Sequence, residues 1–505
     1  MRAHPPRPAA SPERWPLGRG RALRLTALLV GVALAGSACT PGFRGGGHRH
    51  AEGPMESIRP MPSARLAGPA VLGTKWDIHR LSSYTSYLSS ISGSVTFYEL
   101  VWCKVEPVKG IFDWHQADKF VNESARLGER MMLKLRVGRC WATGGQAQYE
   151  RGQGNKTESA MPLDLRAYRA FVEAAVRRYA PRGVVEYAVE NEINSPSNWA
   201  GTAAQYRQLI GVAAQAIHAA SPEAVVVGPG LSSTTYGYGI AARLVALGQD
   251  DQAVQAYNAY FQRRFGTRSG QLPQVSDLAG LQAVLDSEQG RRDLQYLDLV
   301  QQLARERVFA VRQIHFYEAW SSVPDLLTYL RATTPATTPI QAWEVGSFWE
   351  GSDASADERA AELVKTVSLL LAGGVHMVVW LPLAVNPSGR HADEPRYGLL
   401  DPDGAVRPSG LALAAIVAAA RGAKVTPVAA NGLTGVAFER TGRTDLFVWS
   451  ASSQPVHLRL AHGDQAALVG RPTAGRPTGS STLAVGSEPQ QLTVSGGLTA
   501  FLAGQ

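Results

Sequence analysis

Two glutamates that each close a short β-type run are the residues of this chain best suited to chemistry. Glu192 ends the run VVEYAVENE, and Glu344 lies near the end of PIQAWEV. Two carboxyl groups are enough to cleave a glycosidic bond, because one transfers the proton while the other attacks the anomeric carbon or activates water. Acidic residues also end many strands without any catalytic role. The pair is therefore informative only if one scaffold brings both glutamates together.

Other acidic residues near this pair are alternatives that must be weighed. Glu190 has the same strand parity as Glu192 and would point into the same cavity one layer lower, so it is an alternative proton donor. Glu186 lies deeper on that run, and we expect it to be structural. Glu318 and Glu350 follow later runs near the cleft, where we expect solvated charges.

The scaffold can be predicted from eight apolar, β-branched runs that alternate with amphipathic helical stretches between about residues 67 and 422. This alternation predicts parallel strands joined by crossover helices, and eight repeats predict a closed (β/α)₈ TIM barrel of the α/β class. The runs are AVLGTKW, SVTFYELVW, RMMLKLRVG, VVEYAVENE, AVVVGPG, VRQIHFY, PIQAWEV and HMVVWLP. Extra helical material at about 231–310 separates the fifth run from the sixth. We expect it to overhang one side of the barrel mouth.

The predicted barrel places both glutamates at its functional end. Enzymes of this fold work at the C-terminal ends of their strands, and Glu192 and Glu344 close the fourth and seventh runs. Several tryptophans also lie at or just beyond strand ends, where a flat ring could stack on the C–H face of a sugar. The alternative for two or three of them is a plug above the barrel core. They are Trp102, Trp141, Trp199, Trp320, Trp349 and Trp380.

Residues at the ends of the fourth, sixth, seventh and eighth runs form a recognisable pattern: Asn191, Glu192, His315, Tyr317, Glu344 and Trp380. This pattern resembles the retaining glycoside hydrolases of the (β/α)₈ clan A and is closest to glycoside hydrolase family 39. Three segments are similar to stretches of that clan: WCKVEPVKGIFDW, MPLDLRAYRAFVEAAVRRYA and YGLLDPDGAVRPSGLALAAI. The likeness covers about residues 67–422.

The resemblance implies a role for each residue. Glu192 matches the acid/base and Glu344 the nucleophile of a double displacement that retains the anomeric configuration. Asn191 matches the residue that hydrogen-bonds the sugar 2-hydroxyl, and Tyr317 matches the tyrosine that steadies the nucleophile. The other members of the predicted substrate-binding set are His315 as a rim histidine, Trp380 as the platform beneath the cleaved sugar, and Trp102, Trp141, Trp320 and Trp349. A buried core histidine is the alternative for His315.

Basic residues near the rim leave a further choice open. Lys104, Arg136 and Arg139 follow or end the second and third runs, where they either bind an acidic sugar or pair with neighbouring glutamates. The overall charge does not decide between these roles. Of the net charge of +8, the ten arginines and three glutamates of residues 1–65 account for +7, which leaves the predicted barrel nearly neutral. A nucleic-acid partner has little electrostatic support.

The N-terminus predicts export. Four arginines precede an apolar run of signal-peptide length, and Leu-Ala-Gly-Ser-Ala-Cys then resembles a bacterial lipoprotein cleavage box ending at Cys39. We predict a signal peptide over 1–39 and a flexible linker over 40–66. A lipid on Cys39 would hold the protein at the extracytoplasmic face of a bacterial membrane. Ordinary signal cleavage and secretion is the alternative.

Two cysteines remain in the mature body, Cys103 and Cys140. Both follow strand runs that we expect to be neighbours, so an exported protein could join them in a disulfide or keep two separate buried thiols. No Cys/His spacing indicates a zinc site. Beyond the predicted barrel, 67–422, the pattern changes to short alternating runs, which predict a small antiparallel β-sandwich over 423–505.

The sequence thus predicts a monomeric retaining glycoside hydrolase that cleaves an extracellular poly- or oligosaccharide and needs no metal or organic cofactor. The alternative from another class is a non-catalytic saccharide-binding lipoprotein on a degenerate barrel. A third hypothesis keeps the reaction but inverts the anomeric configuration, which a wider separation of the carboxyl groups would indicate.

Overall fold

The computed structural model describes residues 70–144, 159–265, 272–347, 354–386, 397–461, 463–471 and 481–505. The predicted signal peptide and linker, Cys39, Trp349 and Glu350 lie outside these residues. Among the helices of the described ranges, none has both the length and the apolar character that crossing a bilayer requires.

Eight parallel strands form one sheet in the order β5-β4-β3-β2-β1-β8-β7-β6. Backbone hydrogen bonds from Gly228 N to Val311 O and from Ala310 N to Val226 O, each 2.9 Å long, join the two end strands and close the barrel. All eight predicted strands are confirmed. They are β1 (Val71–Thr74), β2 (Val95–Val101), β3 (Arg130–Arg136), β4 (Glu186–Val189), β5 (Val225–Val227), β6 (Arg312–Phe316), β7 (Ile340–Val345) and β8 (Val375–Trp380).

Helices surround the barrel, and several begin at capping residues that the sequence supplies. Thr202 and Gln205 form a reciprocal capping box before α5, and Ser355 and Glu358 form another before α11. The helices up to β6 are α1 (Leu81–Ser90), α2 (Trp102–Val105), α3 (His115–Arg126), α4 (Leu165–Tyr179), α5 (Ala203–Ala220), α6 (Ser233–Ala246), α7 (Asp250–Phe261), α8 (Leu278–Leu285) and α9 (Glu288–Arg305). Those after β6 are α10 (Val323–Thr333), α11 (Ala356–Ala372), α12 (Pro408–Ala420) and α13 (Leu498–Ala503).

The side chains of each strand alternate between two apolar layers. On β3, Met131, Leu133 and Leu135 pack outward in the layer shared with the helices, whereas Met132 packs in the barrel interior. Lys134 has the same parity as Met132, and its ammonium nitrogen lies 4.3 Å from the centre of the interior Phe97 ring. The alternation therefore delivers a charged side chain to the inside of the barrel.

The C-terminal strands form the predicted antiparallel sandwich. One sheet contains β9 (Lys424–Ala430), β10 (Leu433–Arg440), β11 (Arg443–Ser450), β13 (Gln465–Leu468) and β15 (Gln490–Ser495), and β12 (Val456–Leu460) pairs with β14 (Ser481–Val485). The two layers share an apolar core that includes Leu446, Leu458 and Leu492. Both β9 and β10 contact α11, so the sandwich is packed on the barrel.

A disulfide joins Cys103 to Cys140, the first of the two alternatives that the sequence left open. It ties the segment that follows β2 to the segment that follows β3. Both segments lie at the C-terminal end of the barrel, where the candidate catalytic residues are found.

Replacing both cysteines by serine should lower the free energy of unfolding by about 3–4 kcal/mol, because the bond closes a loop of 37 residues and restricts the unfolded chain. Urea unfolding of the oxidised protein and of the double variant measures the change. Wild type unfolded with a reducing agent is the control and should match the double variant. Identical midpoints for all three samples would contradict a stabilising crosslink.

Candidate active site

Glu192 and Glu344 face one another across a cleft at the C-terminal end of the barrel. One carboxyl oxygen of each glutamate and one ring nitrogen of His315 all lie within 4.8 Å of one another. The two glutamate side chains are 16% and 13% exposed, and both line an open cleft of about 1700 Å³. This spacing fits the roughly 5 Å of a retaining pair and not the 6.5–9.5 Å of an inverting one.

Local irregularities of the backbone aim these two side chains. The register between β7 and β8 shifts between Ala342 and Val345, and such bulges redirect side chains at the ends of barrel strands. Glu190 and Glu192 adopt positive φ angles of 62° and 44°, a conformation that is costly for residues other than glycine. A hydrogen bond of 2.7 Å from Glu192 N to Gly230 O helps to hold the backbone of Glu192 in this conformation.

Gly230 leaves the space in which the histidine sits. A Cβ atom at this position would lie 2.0 Å from Nε2 of His315, so any larger residue would displace the imidazole ring. The ring is fully buried, and its Nδ1 lies 3.0 Å from Oε1 of Glu192 and 3.6 Å from Oε2 of Glu344. His315 thus bridges the two carboxyl groups from below.

Glu344 is held in its ionised form by four hydrogen-bonding or charged neighbours. Tyr317 donates its hydroxyl to Oε2 at 3.0 Å, and the ammonium group of Lys134 donates to Oε1 at 2.5 Å. Burial alone would raise the pKa of Glu344, but His315, Lys134 and Lys75 outweigh it and lower the pKa to about 2. An ionised carboxylate at neutral pH is what a nucleophile requires.

Lys134 is a residue of the site that the sequence did not identify. Its ammonium group, fully buried, also donates to Oδ1 of Asn191 at 2.6 Å. It therefore fixes the orientation of the Asn191 amide as well as the charge of Glu344. The sequence feature that could have identified Lys134 is its inward-facing position between apolar residues of β3.

Glu192 has different neighbours. Its Oε1 contacts the imidazole of His315, and its Oε2 accepts a hydrogen bond of 3.0 Å from the Asn198 side chain. Lys134 contacts Glu344 and Asn191 instead. Two carboxyl groups with different surroundings can take different protonation states, which acid/base and nucleophilic roles require.

The other glutamates of this region are bound into ion pairs or hydrogen bonds. Glu190 is fully buried, accepts a hydrogen bond of 2.7 Å from Val137 N, and lies 3.5 Å from Arg136. Burial is the main reason that its pKa is raised. Glu186, as expected, is structural and accepts a hydrogen bond from Gln341. The expectation of a solvated Glu318 is wrong, because it is 1% exposed and paired with Arg264.

Among the basic residues near the rim, the structure shows for Arg136 the second of the two roles left open, pairing with a glutamate. Arg136 pairs with Glu99 at 2.9 Å, and Lys75 pairs with the other oxygen of Glu99 at 2.6 Å. Their charges hold the pKa of Glu99 well below its usual range, although burial opposes this. Lys104, by contrast, is exposed and lines the cleft.

The tryptophans predicted to bind sugar do not line the cleft among the described residues. Trp102 and Trp199 are 1% and 0% exposed, because Trp102 stacks on Phe171 and Trp199 packs on Tyr206. Trp380 is 4% exposed and belongs to the core. The prediction that Trp102 and Trp380 contact sugar is therefore wrong, and the core alternative applies to both and to Trp199.

Two further tryptophans pack against protein. Trp141 lies edge-on to Trp102 and donates to Glu106 O at 2.7 Å, while Trp320 packs against Trp449 at 6.2 Å. Both rings remain partly exposed and neither lines the cleft, so their sugar contacts stay predictions. Tyr317 lines the cleft as predicted, together with aromatic side chains that strand-end position alone did not reveal: Trp76, Tyr98, Phe120, Tyr238 and Tyr397.

The Glu192, His315 and Glu344 trio also has the donor types and spacing of a metal site. The buried ammonium of Lys134 lies against Glu344, however, and would repel a second cation. We therefore interpret the trio as groups for proton transfer and nucleophilic attack.

No protein-family model and no curated protein matches this chain. Solved structures do share its fold. A family 39 glycoside hydrolase from the gut symbiont Bacteroides cellulosilyticus WH2 is 16% identical, with a TM-score of 0.54 over 84% of this chain and 81% of that chain. A glucosidase from Croceicoccus marinus is 11% identical, with a TM-score of 0.55 over 88% of this chain and 98% of that one.

A GH39 β-xylosidase from Caulobacter crescentus is similar in the same way, at 14% identity and a TM-score of 0.51 over 87% of this chain and 98% of that chain. These neighbours confirm the predicted resemblance at the level of the fold, a (β/α)₈ barrel of the kind found in families 39 and 30.

Replacing Lys134 by Gln should raise the pKa of Glu344 by about 1–3 units, because an opposite charge in contact is removed. Glu344 would then take up its proton as the pH falls through about 3–5, whereas the wild-type carboxylate stays ionised until about 2. A ¹³C NMR titration of glutamate-labelled protein, with Glu344→Gln used for assignment, measures this. Lys104→Gln is the matched control, and an equal pKa in all folded samples would contradict the role of Lys134.

Proposed function

We propose that this protein is a retaining glycoside hydrolase. The observation that carries the proposal is the pair Glu192 and Glu344, which approach within 4.8 Å at the functional end of the barrel while only Glu344 contacts the buried ammonium of Lys134. The fold shared with family 39 and family 30 enzymes supports the same conclusion.

In the first step Glu344 attacks the anomeric carbon, and Glu192 gives its proton to the glycosidic oxygen as the bond to the leaving group breaks. In the second step Glu192 takes a proton from water, and that water displaces Glu344 from the sugar. Tyr317 donates to Oε2 of Glu344 and Lys134 donates to Oε1, so the attacking carboxylate is held in a fixed orientation. His315 supports both carboxyl groups during the transfer.

Asn191 is suited to bind the sugar beside the nucleophile. Because its Oδ1 accepts from Lys134, its Nδ2 is the end that donates to a 2-hydroxyl. The aromatic residues Tyr98 and Tyr397 line the same cleft and offer faces or hydroxyls to the ring. These residues replace Trp102 and Trp380, which lie in the core, as proposed sugar contacts.

The substrate we propose is an extracellular poly- or oligosaccharide. A cleft of about 1700 Å³ exceeds what one small ligand requires, and residues 272–293 of the insertion extend its wall. Export through the predicted signal peptide would place this cleft outside the cytoplasm, with Cys39 as the lipid anchor.

Reaction with 2,4-dinitrophenyl 2-deoxy-2-fluoro glycosides tests the mechanism, because the fluorine slows the second step and leaves the sugar attached. Intact mass should rise by one fluorosugar, and peptide mapping should locate it on Glu344. The xyloside and the glucoside are the first probes, since solved neighbours are called a xylosidase and a glucosidase. Labelling of another residue by either probe would overturn the assignment.

The companion measurement is turnover on a polysaccharide panel with product sizes and anomeric configuration recorded. Glu344→Gln should reduce turnover by roughly 10⁴-fold or more, and Glu192→Gln by about 10²- to 10⁴-fold. Azide should restore part of the loss in Glu192→Gln, since it needs no general base. Equal turnover by wild type and both variants would reject the mechanism, and saccharide binding without turnover would favour the non-catalytic alternative.

For the anchor, Cys39→Ser should move the protein from the membrane fraction to the soluble extracytoplasmic fraction of a bacterial host, because no lipid can then be attached. Fractionation followed by immunoblotting measures this, with wild type as the reference and the double variant Cys103→Ser, Cys140→Ser as the control for loss of cysteine elsewhere. Unchanged membrane association of Cys39→Ser would contradict a lipid on that residue.

A further inference from the structure

The segment that follows Glu192 controls the environment of the proposed proton donor. We define residues 193–201, between β4 and α5, as the acid/base loop. Its residue Asn198 donates from Nδ2 to Oε2 of Glu192 at 3.0 Å, and the Ser195 backbone N–H donates to Glu192 O at 2.8 Å. The position of this loop therefore decides how the Glu192 carboxyl group is oriented.

The loop begins from a strained backbone. Glu192 has a φ angle of 44° and Glu190 one of 62°, and residues other than glycine persist in this region only when surrounding contacts over-determine them. Such strain costs on the order of 1–3 kcal/mol per residue, so something outside the loop must hold it in place.

Helix α9, the last element of the insertion between β5 and β6, supplies these contacts. Arg292 donates from Nε to Asn194 O at 2.6 Å and from a terminal nitrogen to Trp199 O at 3.3 Å. One turn later, the hydroxyl of Tyr296 donates to Gly201 O at 3.0 Å. Residues four apart share one face of a helix, so Arg292 and Tyr296 hold both ends of the loop together.

Asp293 provides the central contact. It is 2% exposed, and its Oδ1 accepts from Nδ2 of Asn194 at 2.6 Å. The same amide group lies 2.7 Å from the hydroxyls of Ser232 and Thr235 on the segment after β5. Burial raises the pKa of Asp293 to about 7, so a neutral side chain of the same shape is compatible with this site.

We propose that helix α9 positions the general acid: through Arg292, Asp293 and Tyr296 it holds the acid/base loop so that Asn198 and His315 orient the two oxygens of Glu192. The insertion is then part of the catalytic apparatus as well as a wall of the cleft. Asp293 is a positioning residue, because it acts on Glu192 through Asn194. This inference rests on the proposed function of Glu192.

Two variants of Asp293 distinguish the effect of its hydrogen bond with Asn194 from the effect of the size and shape of its side chain. Asp293→Ala removes the acceptor from Asn194, whereas Asp293→Asn keeps an oxygen acceptor of the same size and should rescue the loop. Asp298→Ala is the matched control, because Asp298 is an exposed aspartate on the same helix. Thermal unfolding of all four proteins establishes that each is folded.

Hydrogen exchange followed by mass spectrometry tests the positioning without any substrate. Amides of residues 193–201 should exchange at least about 10-fold faster in Asp293→Ala than in wild type, Asp293→Asn or Asp298→Ala, since a lost buried hydrogen bond to this loop lowers its local opening energy. Unchanged exchange in folded Asp293→Ala would overturn the proposal, whatever the activity of the enzyme.

The kinetic test compares leaving groups on one glycone. A 2,4-dinitrophenyl glycoside needs little protonic assistance, whereas a methylumbelliferyl glycoside depends more on the acid. For Asp293→Ala we expect kcat/KM on the methylumbelliferyl glycoside to fall by about 10-fold or more, with less than about 3-fold loss on the dinitrophenyl glycoside. Equal losses on both would overturn the proposal. Lack of turnover by wild type would count against the proposed function, and hydrogen exchange would then decide the role of α9.

Discussion

An ammonium group inside a barrel is costly unless a carboxylate balances it, and in this protein Lys134 and Glu344 balance one another at 2.5 Å. The contact has consequences for both partners. Glu344 remains ionised in a largely desolvated position, whereas burial lowers the pKa of Lys134 and the charge of Glu344 opposes that fall. The same ammonium group orients Asn191. The buried ammonium group of Lys134 thus contacts both the nucleophile Glu344 and Asn191, the residue proposed to bind the sugar 2-hydroxyl.

The division of labour between the two glutamates follows from this asymmetry. Glu344 is surrounded by donors and positive charge, whereas Glu192 contacts the Asn198 amide and shares His315 with its partner. Because environment decides which carboxyl group carries the proton, two chemically identical side chains can perform different tasks in one cavity. The tertiary arrangement makes the difference.

The segment between β5 and β6 also shapes the surroundings of a catalytic carboxyl group, in this case that of Glu192. A barrel strand ends in a loop, and a loop alone does not fix a side chain to the accuracy that proton transfer needs. Here α9 contacts the acid/base loop at Asn194, Trp199 and Gly201, while α6, α7 and α8 make up the rest of the segment between β5 and β6. Helix α9, which leads into β6, thus contributes both a wall and a support for the site.

The sequence alone determined the eight strands, the flanking helices and the C-terminal sandwich, because hydrophobic periodicity and capping are properties of neighbouring residues. It also identified Glu192 and Glu344 as a pair, since strand ends of a barrel meet at one rim, and the resemblance to clan A hydrolases added Asn191, His315 and Tyr317. The sequence could not predict whether the tryptophan side chains face the cleft or the core. A residue at a strand end faces either the cleft or the core, and Trp102 and Trp380 face the core.

Only the tertiary structure revealed Lys134 and Asp293. Their importance depends on contacts with residues 210 and 99 positions away in the chain, which no local pattern records. The shift in register on β7 and the positive φ of Glu192 are likewise visible only in the structure. Periodicity specifies which elements form, whereas the distances between their ends, and hence the charges and orientations in the site, follow from how those elements pack.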